Sequence, residues 1–246
     1  MAWDDVKATG NEITADEWNN HVTDQKTPDF DTIEVYRSDT TLDTTNLDNV
    51  FVEVIGGGGG SGGVAGGTGE TRLSGGGGGG GYAADSVDVS TLNSVSITVG
   101  SGGAGGASGN NDGSAGGNSS FGGFVSAEGG GFGPAASGDL SLGQVVGGEG
   151  GDGTAGAIQI SGGDPEFAFR STTITGITSL SSGGATVYAS NNRKNRLDVN
   201  DNPTQIGFSI LDDEIGHGAH GSGVVDTTAD IFGNEGADGA VIVYYS

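Results

Sequence analysis

Glycine decides what this chain can build. Of its 54 glycines, 42 fall in the 108 residues from Gly56 to Gly163, and the other 138 residues hold twelve. A residue without Cβ brings no side chain to a core and loses the most backbone freedom on ordering. The stretch is therefore either a flexible linker or a structure in which backbone packs against backbone. A linker fits poorly. The glycine runs are broken by Val95, Ile97 and Val99 alternating with polar residues, and by single apolar residues at Phe121, Phe124, Phe132, Leu140 and Leu142. Structureless connections of this length are also uncommon. Collagen is excluded, because glycine does not fall at strict thirds and there are only four prolines. Glycine can also take the extended helix of three residues per turn and, unlike proline, keep its N–H. Several such helices side by side can bond backbone to backbone. The sequence leaves this polyglycine-II sandwich and a compact β-sandwich both open.

The composition boundary divides the chain. Residues 1–49 read as an N-terminal attachment or oligomerisation segment, and 50–246 as the glycine-rich domain. Within the latter, 164–215 hold four glycines in 52 positions, as an insertion or a strand layer. Thr14 and Glu17 form a capping-box pattern that predicts a short helix from about Ala15 to Gln25, ended before Pro28. Trp18 and Val22 would share one face, and so short a helix needs a partner in this chain or in another copy. Strands are predicted over Asp31–Arg37, Val50–Ile55, Val95–Val99, Thr172–Ile177, Ala185–Ala189 and Ala240–Tyr245. The second and last of these bracket the glycine-rich part and are expected to share a sheet. The fold class is mostly β with glycine-rich irregular structure and one short N-terminal helix.

The formal net charge is −24, from 32 acidic and eight basic residues. A polyanionic nucleic acid or an anionic membrane surface would be repelled. The carboxylates are scattered singly through patterned sequence, which suits a folded surface kept hydrated in molar salt better than a disordered tail. There is no cysteine, so no disulfide or thiolate site. No apolar run approaches the roughly 18 residues of a membrane span. The opening MAWDDVKATG lacks the basic-then-apolar order of a secretory leader.

The order of segments carries a resemblance. VFVEVIGGGGGSGG is followed by GYAADSVDVSTLNSVSITVGSGGAGG, by GGNSSFGG and by GADGAVIVYYS. This resembles the glycine-rich domain of phage tail fibres and tail-fibre-tip adhesins over residues 50–246. The resemblance implies a virion protein with no enzymatic activity, in which glycine-rich helices sandwich together, loops contact the host surface, and three copies assemble. With the acidity, it places the protein on a virus of a halophilic archaeon. Residues 1–49 would bind other virion proteins, and release inside an assembled particle would need no leader. The implied partner is a host cell-surface glycan or surface-layer protein. A capsid turret or decoration subunit without a receptor is the alternative, and a glycan hydrolase a distant third.

Within that reading, the island NNRKNR holds Arg193, Lys194 and Arg196, three of the eight basic residues, and suits an acidic glycan. The competing reading is a solvated turn. LDVNDNP offers Asp198, Asn200, Asp201 and Asn202 as oxygen ligands for Ca²⁺ and is similar to the calcium-binding linker of cadherin repeats. Its plainer reading is an Asn/Asp turn. His217 and His220 follow Asp212, Asp213 and Glu214, but no helix holds them on one face as a metal site would need. Gly59-Gly60-Ser61-Gly62-Gly63 matches a hydrolase nucleophile elbow, although no helix can follow it. Phe121, Phe124, Phe132, Tyr82, Tyr188, Tyr244 and Tyr245 could stack on sugars, and most are expected to be buried.

Overall fold

The structure is a computed structural model and describes residues 30–136, 143–171, 177–179, 181–189, 196–198, 215–227 and 229–246. Two five-stranded antiparallel sheets pack face to face at one end. The first has the order β1 (Thr32–Tyr36), β16 (Ala240–Tyr245), β3 (Asn49–Ile55), β5 (Tyr82–Asp88) and β11 (Ile158–Ile160). The second runs β10 (Gly153–Ala155), β8 (Val125–Ala127), β7 (Ser119–Phe121), β6 (Ser94–Thr98) and β2 (Thr40–Asp43). As the sequence predicts, the strands bracketing the glycine-rich part pair, with Ala240 opposite Ile55 and Tyr244 opposite Phe51. Strands β1 and β2, from the stretch assigned to the N-terminal segment, pair with β16 and β6.

The alternation of side chains fills the space between the sheets. Val50, Val52, Val54, Val87, Val241 and Val243 come from the first sheet, and Leu42, Val95, Ile97, Phe121 and Val125 from the second. Each such side chain contributes roughly 1.5–3 kcal/mol when fully buried.

Beyond the sandwich the strands run on as glycine-rich segments. In chain order, segments I to X are 56–63, 74–81, 100–107, 111–118, 128–136, 146–152, 161–165, 181–186, 216–222 and 232–239. Their hydrogen bonds follow a three-residue count. In segment I, the N–H groups of Gly56, Gly59 and Gly62 donate to Gly81, Gly78 and Gly75 of II; those of Gly57, Gly60 and Gly63 donate to Gly117, Ser114 and Asn111 of IV; those of Gly58 and Ser61 donate to Ala237 and Asn234 of X. Its carbonyls accept from Gly103 and Gly106 of III, Gly130 and Gly133 of V, and Ala219 of IX. Segment I thus has six neighbours, three receiving its donors and three bonding its acceptors. Segment II has six as well. It donates to V, VII and IX, and accepts from I, VI and VIII.

The remaining eight segments form a rim in sequence order. Ser114 bonds Ala104, Gly116 bonds Gly130, Gly131 bonds Glu149, Gly162 bonds Gly151, Gly163 bonds Ala185, Gly218 bonds Gly184, Ala237 bonds His217, and Gly236 bonds Gly103 to close the ring. A donor direction that repeats every three residues is that of the extended polyproline II type of helix, so eight residues give a lattice about 25 Å deep. At most glycine positions the spacing leaves no room for a side chain. A Cβ on Gly78 would sit 1.9 Å from the Glu149 carbonyl oxygen, and one on Gly60 2.1 Å from that of Ala104.

The far end of the lattice carries the other strands. β4 (Gly67–Leu73) connects I to II and pairs with β15 (Gly223–Thr227), which connects IX to X. β9 (Gly143–Val145), β12 (Ala168–Ser171), β13 (Ile177–Ser179) and β14 (Arg196–Asp198) form a four-stranded sheet. A small apolar plug of Val64, Ala136 and Ile231 closes the lattice there.

These findings correct the expected fold class. The glycine-rich part is regular, the flanking architecture is two antiparallel sheets, and there is no α-helix among the described residues. The helix predicted over 15–25 lies outside the described residues. The pattern at 14–17 carried only local capping information, with no packing partner legible beside it. Residues Ala185–Ala189 are not a strand either: Ala185 and Thr186 complete segment VIII, and 187–189 bend away. The strand predicted over Thr172–Ile177 lies outside the described residues except Ile177, which begins β13.

Candidate functional site

The far end carries the described members of the basic island and of the oxygen-ligand loop. Of the basic island, Arg193 and Lys194 lie outside the described residues. Arg196 begins β14 and pairs with Ser179, and Asp198 ends it opposite Ile177. Of the island, Arg196 alone is thereby placed, on the edge strand of the four-stranded sheet. Asn200, Asp201 and Asn202 lie outside the described residues, so the oxygen-ligand loop is placed only at its first member. Asp212, Asp213 and Glu214 fall outside as well. Among the described residues there is no group of three or more His, Asp or Glu side chains arranged to hold a metal.

Around this end the rim turns apolar groups outward. Phe132 of V, Val146 of VI, Phe167 just past VII and Phe232 of X are all exposed. Val146 and Pro134 both lie against Gly75, and Pro165 against Gly147, so V, VI and VII present one contiguous edge. Beside β4, the Arg72 guanidinium is held by Glu70, with Nε to Oε2 at 2.7 Å, and donates to the Ala65 carbonyl. Arg72 is neutralised where it stands. The turn joining III to IV carries Gly109 at φ +93°, a left-handed conformation that favours glycine.

The aromatic residues divide differently from the expectation that most are buried. Phe121 and Tyr82 are buried, Tyr244 and Tyr245 half-buried, and Phe124, Phe132 and Tyr188 exposed. The reason is the lattice: segments I and II have no room for a ring, so these aromatics are confined to the sandwich or the outside.

Two polar clusters occupy the body. Glu53 sits in the middle of β3, buried, and accepts hydroxyl bonds from Tyr82 at 2.6 Å, Tyr188 at 2.7 Å and Tyr244 at 2.6 Å. Burial and the bond to Glu53 push the Tyr244 hydroxyl up to about 12, and raise Tyr82 and Tyr188 from the same causes in the same order. On the other face of the sheet Glu34 accepts from Tyr36 and from Tyr245, the latter at 2.8 Å. All five tyrosines therefore donate to one of two carboxylates. The lone acid inside VFVEVI was the available signal for this cluster, and sequence reasoning passed over it.

The second cluster is the histidine pair. His217 and His220 lie buried in segment IX with ring centroids 5.4 Å apart. His220 Nδ1 accepts the Gly183 N–H of segment VIII at 3.0 Å, and its carbonyl accepts from Asn234. Burial, and secondly His217, push His220 down to about 4. The imidazole here is a lattice acceptor. Ser61 has a similar role: it is buried in segment I, and its Oγ accepts the Asn234 N–H at 2.7 Å. It has the place of a lattice link, inside the body.

Side chains also complete the rim where backbone partners run out. Asp112 accepts from Ala135 N–H at 2.7 Å, Asp164 from Gly150 at 2.8 Å and Asp238 from Gly102 at 2.7 Å. Part of the chain's acidity is thus lattice edge.

Compared with known proteins, residues 37–246 match the glycine-rich domain family. No curated protein matches the chain.

Proposed function

Since the chain belongs to the glycine-rich domain family, its role is to be read from what the lattice presents, and we propose that it is a non-enzymatic, tail-fibre-type adhesin of a virion working at high salt. The observation that carries this reading is the division of the molecule into two ends. A closed hydrogen-bonded body separates the two-sheet sandwich from an end made of connecting loops, a four-stranded sheet and outward apolar groups. Loops on a rigid scaffold are where recognition residues concentrate. Arg196 lies on β14 at this end, and on a chain of net charge −24 the basic island of Arg193, Lys194 and Arg196 suits an acidic host glycan or surface layer. Strands β1 and β2 of the N-terminal segment belong to the opposite end, and residues 1–49 suit attachment to the particle. Three copies side by side would multiply weak contacts.

The test is binding of the purified protein to host cells in multimolar salt, with blocking of infection as the readout. Saturable binding that blocks infection is expected, and replacing Arg193, Lys194 and Arg196 by Ser should abolish it while leaving the melting temperature in place. A folded protein that neither binds nor blocks would instead be a structural subunit of the particle.

A further inference from the structure

The outer face of the first sheet is left bare at one side. Strand β1 turns Ile33 and Val35 outward, 61% and 51% exposed, next to Ile242 and Tyr244 of β16. Phe30 closes the patch, its ring 6.4 Å from Phe51 and 5.6 Å from Tyr244. The middle of the same face is filled by the Glu53 cluster and Ile215. The β1 side has no such cover among the described residues. Two outward β-branched residues beside three packed aromatic rings are a poor surface to leave in water.

The chain itself points to the occupant. Residues 1–29 enter the described structure at Phe30, on this patch. They contain both tryptophans of the protein, Trp3 and Trp18, together with Val6, Ile13 and Val22. Trp18 lies twelve residues before Phe30, which allows a reach of roughly 40 Å. A five-stranded sheet is only about 20–25 Å wide. A segment tethered at the patch meets it at a high effective concentration. We propose that residues 1–29 of the same chain cover this face, with Trp18 packed on Ile33, Val35 and the Phe30–Phe51–Tyr244 cluster.

The experiment uses the full chain with Trp3→Phe, so that Trp18 is the sole indole. Its emission and its quenching by acrylamide are followed over a wide dilution series. The expected result is blue-shifted emission, protected from quenching at every concentration. That protection should be lost on adding Ile33→Asp and Val35→Asp, both at exposed positions, with the sheet signal in circular dichroism and the melting transition as controls for folding. Emission already at the position of a solvated indole would overturn the proposal. So would protection that disappears on dilution, which would assign the face to a second copy, or protection unchanged by the two aspartates. Should the double variant not fold, Val35→Thr alone reads the same contact with a smaller red shift, and no shift there overturns the proposal.

Discussion

At the scale of single residues, acceptors placed in a glycine body set the pH and mutational behaviour. His220 is neutral when it accepts from Gly183 and is pushed down to about 4. Its unfolded value is near 6.5, so between these limits the unfolded chain binds more protons than the folded one. The histidine's contribution is therefore complete above about pH 6.5, falls as pH drops toward 4, and is lost below it. The full span is roughly 3 kcal/mol, since each pKa unit is worth about 1.4 kcal/mol. His220→Asn, which keeps an acceptor in place of Nδ1, should flatten this part of the stability profile when denaturant midpoints are compared between pH 7 and pH 4. Glu53 gives a second expectation. Glu53→Ala strands three tyrosine hydroxyls on a partly buried face and should cost about 2–4 kcal/mol. Tyr188→Phe, which removes one exposed donor, should cost about 1 kcal/mol or less. Thermal unfolding of both variants checks the order.

At the scale of elements, β1, β3, β6 and β16 were legible, and most other strands and the register of the lattice were not. Alternation in VFVEVI, SVSIT and AVIVYY marks β3, β6 and β16, because a period of two needs only local sequence. Ile33 and Val35 also mark a strand, though it points its apolar residues away from the sandwich, where Glu34 and Tyr36 lie instead. Which glycine bonds to which cannot be read from runs of identical residues, since no side chain distinguishes one register from the next. The signals are the exceptions. Asp112, Asp164, Asp238 and His220 fall where a rim N–H needs an acceptor. Of the candidate contact residues, the basic island was legible as charge, while the place of Arg196 on β14 depends on pairing across the far end. Inside the lattice the expectation is severe. Gly78→Ala drives a Cβ onto the Glu149 carbonyl and should cost upward of about 3 kcal/mol. Ala115→Ser, at an exposed rim position, should change stability by no more than about 0.5 kcal/mol. Urea midpoints of the two variants would show the contrast.

At the scale of the whole molecule, segments I and II are wrapped by eight others, and each bond in them is shielded by the rim. Amides of Gly57–Gly60 and Gly77–Gly80 should exchange with solvent deuterium only through global unfolding, whereas those of the Ser108–Asn110 turn should exchange by local opening. Mass-resolved exchange measures both. The charge acts at the same scale. Asp112, Glu128, Glu149, Asp152, Asp164, Glu235 and Asp238 lie exposed on the rim, and molar salt would shorten the range of their repulsion to about 3 Å.

The three-residue count in segments I and II has a consequence for how such a chain can change. A turn of the extended helix takes three residues, so one inserted residue rotates every donor after it by a third of a turn. Gly60, which now bonds segment IV, would then aim at a different neighbour, and so would all that follow it. Length inside the body is thus constrained by divisibility: one added glycine scrambles the partner of every later bond, while three restore the direction of each. The connections at the far end obey no such arithmetic. Gene variants that differ in length should differ freely in the loops 65–73, 108–110 and 223–230, and by multiples of three in the segments between. A single glycine inserted after Gly59 should abolish folding in circular dichroism, whereas the same glycine placed after Gly109 should leave it intact.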